Sequence, residues 1–555
     1  MKFHGLLFLI LSLACATSPA RSQSQHHAHD AREAPATLLP GMGSLHHPIS
    51  TTSSEAQEFF DQGLSLVYAF NHHLAARSFQ RAAELDPRSP MPYWGIALAL
   101  GPNYNETRPE NEKAPYEAIQ KAQALALSAP ELERAYVNAL ARRFTNDTKP
   151  DYDRLARDYA SAMRDLNRRY PDDPDAATLF AESLMDLHAW ALWTNDGKPA
   201  ENTLEIVSVL ESVLRRWPDH AGANHFYIHA MEMAPDPERA LASAGRLGAL
   251  APAAGHLVHM PSHIYIRTGD YVAAVKSNQQ AILADNSLPA PQSGNMMYTI
   301  YRAHNVHFLA AAAMMGGDFA VASGAANELA ARANAVGTKL PMVKGFLPFE
   351  LFVRLRFARW DNLLALPPPD AAPAADAQSR GVSFFSHYAR GCAFAAKGQA
   401  TQADSEREAM EADYQRLPPG PAFGMYYNDW STIREIAADT LAARIAAAQG
   451  DSAGAIKNWR AAVAVQDDLK YNEPADWYYP VRESLGAALL LSGRAAEAED
   501  VFREDLRQNP RNPRSLFGLW QSLETQKKAV EAQWIHASFE AAWRGGPDQP
   551  RLADF

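Results

Sequence analysis

Cysteine is nearly missing from this chain. Cys15 and Cys392 are the two in 555 residues. Cys15 stands in a leader-like segment, so a processed chain would keep Cys392 alone. One thiol makes neither an internal disulfide nor a thiolate metal cluster. Any metal site must therefore draw on His, Asp or Glu. An excess of positive charge is missing too: 52 Lys and Arg stand against 63 Asp and Glu, a net charge of −11. That balance argues against nucleic acid or an anionic membrane surface as the partner. No internal apolar run approaches the ~20 residues of a membrane-spanning helix, so no transmembrane segment is expected. Alternating strand patterns are lacking. So are a Ser-His-Asp order, a phosphate-binding glycine loop, a dinucleotide fingerprint and an HExxH motif.

What remains is a globular composition, 47% apolar and 21% charged, preceded by an N-terminus with the marks of export. Lys2 supplies a positive start, and residues 6–14 form a short apolar core. The small residues Ala14, Ala16, Ser18 and Ala20 follow at spacings that suit signal-peptide cleavage. Residues 1–22 are expected to be a signal peptide, and the protein periplasmic or secreted. Cys15 offers a lipoprotein alternative, but Ser12-Leu13-Ala14 is a poor lipobox. Residues 23–54, polar and carrying His26-His27 and His46-His47, read as a flexible tail. Its HHAHD stretch (26–30) can bind transition metals weakly.

From residue 55 the chain is a series of amphipathic helices broken by Pro, Gly and Asp. Phe59, Gly63, Leu66, Ala75, Phe79, Ala82 and Pro87 recur in kind as Gly486, Leu489, Gly493, Ala498, Phe502 and Pro510. A third copy runs Gly450, Asp451, Ala455, Trp459 and Ala462. A small residue is needed where two helices cross closely, a large one fills the space beside the crossing, and Pro ends the pair. This skeleton resembles the tetratricopeptide repeat, over most of residues 55–545. The resemblance implies an all-α solenoid of about twelve helix pairs at a roughly 34-residue period. The expected divisions are an N-terminal lobe (55–365), a Pro/Ala-rich linker with three successive prolines (366–380), a C-terminal lobe (381–545) and a short tail (546–555). Residues 195–202 read as an insertion.

Histidines concentrate in three successive repeats. Ala240, Ala274 and Ala322 take the small-residue position of the second helix, and Gly269-Asp270-Tyr271 and Gly317-Asp318-Phe319 precede it. Counting back places three first helices near 221–233, 254–268 and 296–315. The first carries His225, His229 and Glu232. The second carries His256, His259 and His263, the last two in the segment HMPSHIYIRTGDY (259–271), by which the chain resembles exported tetratricopeptide proteins. The third carries His304 and His307. In the resemblance these positions face the concave groove. Residues three and four apart share a helix face, and a His pair at that spacing can chelate one ion. Pro261 should bend its helix and aim His263. His188, on the preceding helix, is a further candidate ligand.

A lone groove histidine is ordinarily a solvated or peptide-contacting residue. Seven on three neighbouring helices point to a transition metal, with copper or zinc leading for imidazole donors outside the cytosol. The expected function is a metal-dependent oxidoreductase or hydrolase, with Glu232 as general base or ligand. The alternatives are a non-catalytic scaffold holding a peptide, protein or small-molecule ligand in the groove, and a metal capture or delivery protein. Whether the chain is an enzyme stays open among these. Within YNEPADWYYPVRE (471–483), Tyr478, Tyr479, Arg482 and Glu483 are candidates for lining the groove and touching substrate. Aromatic packing is the competing reading there, as it is for Trp477, Tyr426, Tyr427 and Trp430. The loop Asn103-Tyr104-Asn105-Glu106 reads first as a turn satisfied by its own side chains.

Overall fold

The computed structural model describes residues 36–108, 113–288, 296–369, 376–424, 426–546 and 549–555. Among them the chain is all-helical, with three isolated bridges in place of any strand. The signal-peptide and HHAHD expectations lie outside the described residues. No described helix is long and apolar enough to cross a membrane.

Successive helices pack in adjacent pairs, and the reason is local. Gly269 and Gly317 take left-handed φ values of +76° and +86°, which end one helix without a Cβ clash. Asp270 and Asp318 follow at once and accept the backbone N–H of Ala273 and Val321, each at 3.0 Å, which starts the next helix. The crossings are set by size. A Cβ on Gly63 would stand 2.6 Å from the Phe79 ring, and one on Gly95 2.4 Å from it. Phe502 lies likewise between Gly486 and Gly518. Each ring thus wedges between its own pair and the next one.

Two large apolar cores carry the packing. One runs from Met42 to Ile264 and the other from Ala303 to Ala532. The change between them falls near the helix Met296–Gly316. The apolar packing continues across the expected linker: Phe352, before it, lies 4.9 Å from Phe385 and 4.5 Å from Tyr478, after it. Lys344 also pairs with Asp376 at 2.9 Å. A lobe boundary at 366–380 therefore does not interrupt the core.

Both expected tails are corrected in part. Residues 36–53 lie on the fold, with Met42, His47 and Ile49 buried. Gly41 O accepts from Ala253 N at 3.0 Å, and Ser50 Oγ donates to Glu133 at 2.7 Å. At the other end Phe555 is buried against Phe517. The C-terminal helices also reach back to the middle ones. Tyr271 OH donates to Pro510 O at 3.2 Å, Arg544 N to Gly316 O at 3.1 Å, and Asn195 Nδ2 to Leu469 O at 2.8 Å. The C-terminal helices thus meet the middle ones, and His225, His229, His256, His259 and His263, expected on an open groove, are buried.

Candidate metal centre

Three helices place the histidines. Ala221–Met231 carries His225 and His229 one turn apart. Its Gly222 leaves room for Tyr68, whose ring would sit 2.5 Å from a Cβ there. That close approach brings the Tyr68 carbonyl to 2.6 Å from His225 Nδ1. The second element is divided at Met260 into Gly255–His259 and Pro261–Arg267. Pro261 has no N–H to give, and His263 N bonds Met260 O at 3.1 Å, three residues back. The break in the helix falls between His259 and His263. The third helix, Met296–Gly316, presents His304.

These residues form two three-histidine groups, His225/His229/His256 and His259/His263/His304. Within each, the available nitrogens lie within 4.8 Å of one another. Metal–imidazole bonds of about 2.0–2.1 Å fit inside that span. The groups adjoin: the His256 and His259 rings are 5.9 Å apart, and those of His229 and His263 6.0 Å. A third set, Glu232/His263/Glu473, shares His263. His263 Nδ1 lies 2.6 Å from Oε2 of both glutamates, close in distance but off the hydrogen-bond direction.

Partners behind the rings leave the inner nitrogens available. His225 Nδ1 donates to the Tyr68 carbonyl. His259 Nδ1 faces Asn278 Oδ1 at 2.6 Å, and the Asn278 amide is itself turned by donating to Ala274 O at 2.8 Å. His229 Nδ1 faces Glu232 Oε1 at 3.0 Å. Such partners hold a metal-binding ring in one tautomer, its other nitrogen toward the ion. The inner nitrogens crowd: His225 Nε2 and His256 Nε2 are 3.2 Å apart, and His259 Nε2 and His263 Nε2 2.9 Å. Each pair needs a proton or a cation between its atoms. His229 Nε2, His256 Nδ1 and both Glu473 carboxylate oxygens are buried without a hydrogen-bond partner. Native interiors seldom leave so many polar atoms unpaired in one place. The donor set fits a transition metal of the imidazole-preferring class.

The electrostatics agree. Burial, then the neighbouring imidazoles, lowers the His225, His256, His259 and His304 pKa values well below the usual histidine value. These rings are neutral, the state that binds metal. Burial would lower His263 as well, but Glu473 and Glu232 outweigh it and hold that ring up at about 10. Burial pushes Glu473 above the ordinary carboxylate range. Glu232 is pulled below it, because His229 and His263 outweigh its burial. Around the donors stand Phe70, Tyr104, Trp190 and Phe308, with ring centroids 4.6 Å from His225, 5.3 and 5.8 Å from His229, and 4.6 Å from His263.

Other candidates lie elsewhere. His307 packs edge-on against Phe349 at 4.1 Å and joins neither group. His188 ends a short turn, partly exposed, outside every group. The substrate-lining expectation for 478–483 is corrected. Tyr478 and Tyr479 are core residues, and Glu483 is fully buried on Arg356 and Asn512. Arg482 pairs with Asp467. The residue of that segment that does reach the histidines, Glu473, was not singled out. Its Glu-Pro position in a polar loop was the one available signal. His47, Asp173 and Asp175 form a further buried group, but its atoms are occupied. Asp175 receives His47 at 2.8 Å, His220 at 3.1 Å and Tyr68 OH at 2.6 Å, and Asp173 receives Tyr136 OH at 2.8 Å. That network fastens the N-terminal segment. No family model matches this chain, and no curated protein matches it.

Proposed function

We propose that this is an exported, tetratricopeptide-type solenoid whose adjacent helix pairs enclose a transition-metal centre of more than one ion, serving oxidation. Copper leads and zinc follows. The observation that carries the reading is the pair of adjoining three-histidine groups, with unpaired nitrogens turned inward in a buried site. Imidazole donors suit copper and zinc among other transition metals, and a bound copper ion would supply one-electron chemistry at such donors. The chain's own part is to hold His225, His256, His259 and His304 neutral by burial, to orient rings through Tyr68, Asn278 and Glu232, and to exclude water with Phe70, Phe308 and Trp190. Glu232 and Glu473 stand where a proton could be held at the edge of the centre. Hydrolysis by a zinc-bound water would use the same carboxylates as base.

Metal capture is the second reading, favoured by the number of ligands in so enclosed a site. A peptide or protein ligand in a concave groove finds little support, because the expected groove histidines are interior. Elemental analysis of the mature, tag-free protein tests the proposal. Near-stoichiometric copper or zinc is expected, lost when His225, His259 and His263 are all changed to Ala. Absence of metal after reconstitution, or full metal in the triple variant, would sink it.

A further inference from the structure

His263 brings both of its ring nitrogens to donor sets. Its Nε2 lies 2.9 Å from His259 Nε2, within the second three-histidine group. Its Nδ1, on the other edge of the ring, lies 2.6 Å from Oε2 of Glu232 and 2.6 Å from Oε2 of Glu473. These three residues come from three parts of the chain: the end of the helix Ala221–Met231, the helix Pro261–Arg267 and the loop before Arg482–Leu491.

Two observations set this corner apart from an ordinary buried ion pair. The first is that the carboxylates are held in place and still lack partners. Glu232 Oε1 is taken by His229 Nδ1 at 3.0 Å, which leaves Oε2 for His263. The loop of Glu473 is pinned on either side: Tyr471 OH donates to Glu232 O at 3.3 Å, and Asn428 Nδ2 donates to Asp476 Oδ2 at 2.7 Å. Yet Glu232 Oε2, His263 Nδ1 and both Glu473 oxygens are buried without a hydrogen-bond partner. Arg267, one turn beyond His263, bonds neither Glu473 oxygen. The second observation is the charge. Buried charges need a partner of opposite sign. A proton on His263 answers one of the two carboxylates, whereas a divalent cation answers both.

We propose that Glu232, Glu473 and His263 Nδ1 form a separate site for one divalent cation of the zinc class, bridged through the His263 ring to an ion on the imidazole side. Two carboxylate oxygens and one imidazole nitrogen are donors that zinc accepts, with a fourth position left for water. The carboxylates make this side of the ring the harder one, so its metal preference differs from that of the all-imidazole groups. Bonds of about 2.0–2.2 Å to one ion set neighbouring donors about 3.0–3.4 Å apart, so each carboxylate retreats by about 0.4–0.8 Å as the ion enters. In the metal-free chain a proton stands between His263 and the glutamates. The ring protons pass to solvent as its two nitrogens take up their ions. A shared imidazole with two such bonds sets the ions about 6 Å apart. The proposal rests on the metal-centre reading for the copper side of the bridge, and the carboxylate side is counted on its own.

The probes are zinc and copper, on the full mature chain stripped with chelator. After loading with zinc alone, elemental analysis is expected to find about one zinc per chain more in the wild type than in Glu473→Gln, at equal helicity. The bridge has its own readout. Cu(II) is loaded to about one ion for each three-histidine group, and its EPR spectrum is recorded before and after zinc is added. Zinc is expected to change the copper spectrum of the wild type and to leave that of Glu473→Gln unaltered. Equal, non-zero zinc in the two proteins overturns the proposal and leaves the metal-centre reading standing. Zinc uptake that leaves the wild-type copper spectrum unchanged overturns the shared ring, and the proposal with it. Binding of neither metal by either protein sinks the metal-centre reading as well. If Glu473→Gln loses helicity, the copper spectrum of the wild type decides.

Discussion

At the residue scale, the histidines matter less than what stands behind them. Asn278 touches no expected ligand atom, yet it decides which nitrogen of His259 faces inward. Asn278→Leu should weaken metal binding about 10- to 100-fold while leaving helicity intact, as removal of such a partner does elsewhere. Competition with a chromophoric chelator would read the loss, and unchanged affinity would remove Asn278 from the site. His307 makes the opposite case. Burial lowers it to about 3, against about 6.5 in an unfolded chain. Its folded-state pKa is depressed, so the unfolded chain takes up the proton first. The stability it contributes is complete above about pH 6.5 and is lost as pH falls toward 3. At pH 5 the loss amounts to about 1–2 kcal/mol. His307→Phe should therefore narrow the gap in Tm between pH 7 and pH 5 in chelated protein, with metal content unaffected in the untreated sample. A gap of the original size would show that His307 is not buried neutral.

At the scale of the element, glycines join the repeat to the chemistry. Gly222 was not part of the recurring skeleton, but it admits Tyr68, and Tyr68 presents the carbonyl that holds His225. Gly222→Ala should cost about 1–3 kcal/mol by overpacking and should also lower the affinity of the first histidine group. Denaturant unfolding and metal titration together check it. A purely structural effect would leave the titration unchanged once the protein is folded. The helix break at Met260 belongs to the same scale. Pro261 was legible in the sequence as an interruption between two candidate ligands, because proline acts on its own turn.

For the whole molecule, the distinctive contact joins parts of the chain more than 200 residues apart. Glu473 arrives from the loop before the helix Arg482–Leu491 and meets Glu232 and His263, and Tyr471 OH donates to Glu232 O at 3.3 Å. An ion held there would tie the C-terminal helices to the middle ones. Metal loading should raise Tm by mass action. Glu473→Gln should remove much of that increment while leaving the Tm of the chelated protein within a few degrees. An increment undiminished in the variant would place Glu473 outside the centre.

The periodic features were legible without coordinates. Gly63 with Phe79, the Gly-Asp pairs before each second helix, and the histidines on three successive first helices all follow from contacts within one or two turns, and local spacing suffices to state them. Counting also brought His225, His229, His256, His259, His263 and His304 to one inner face. It failed for His307, because the covering ring of Phe349 comes from the next pair. It misjudged residues 471–483 as well. Which side of that loop turns inward, Tyr478 into the core or Glu473 onto His263, depends on contacts with helices more than 100 residues earlier in the chain. Local spacing carries no information about contacts at that separation, and so only the tertiary structure decided that histidines expected on an open groove are buried.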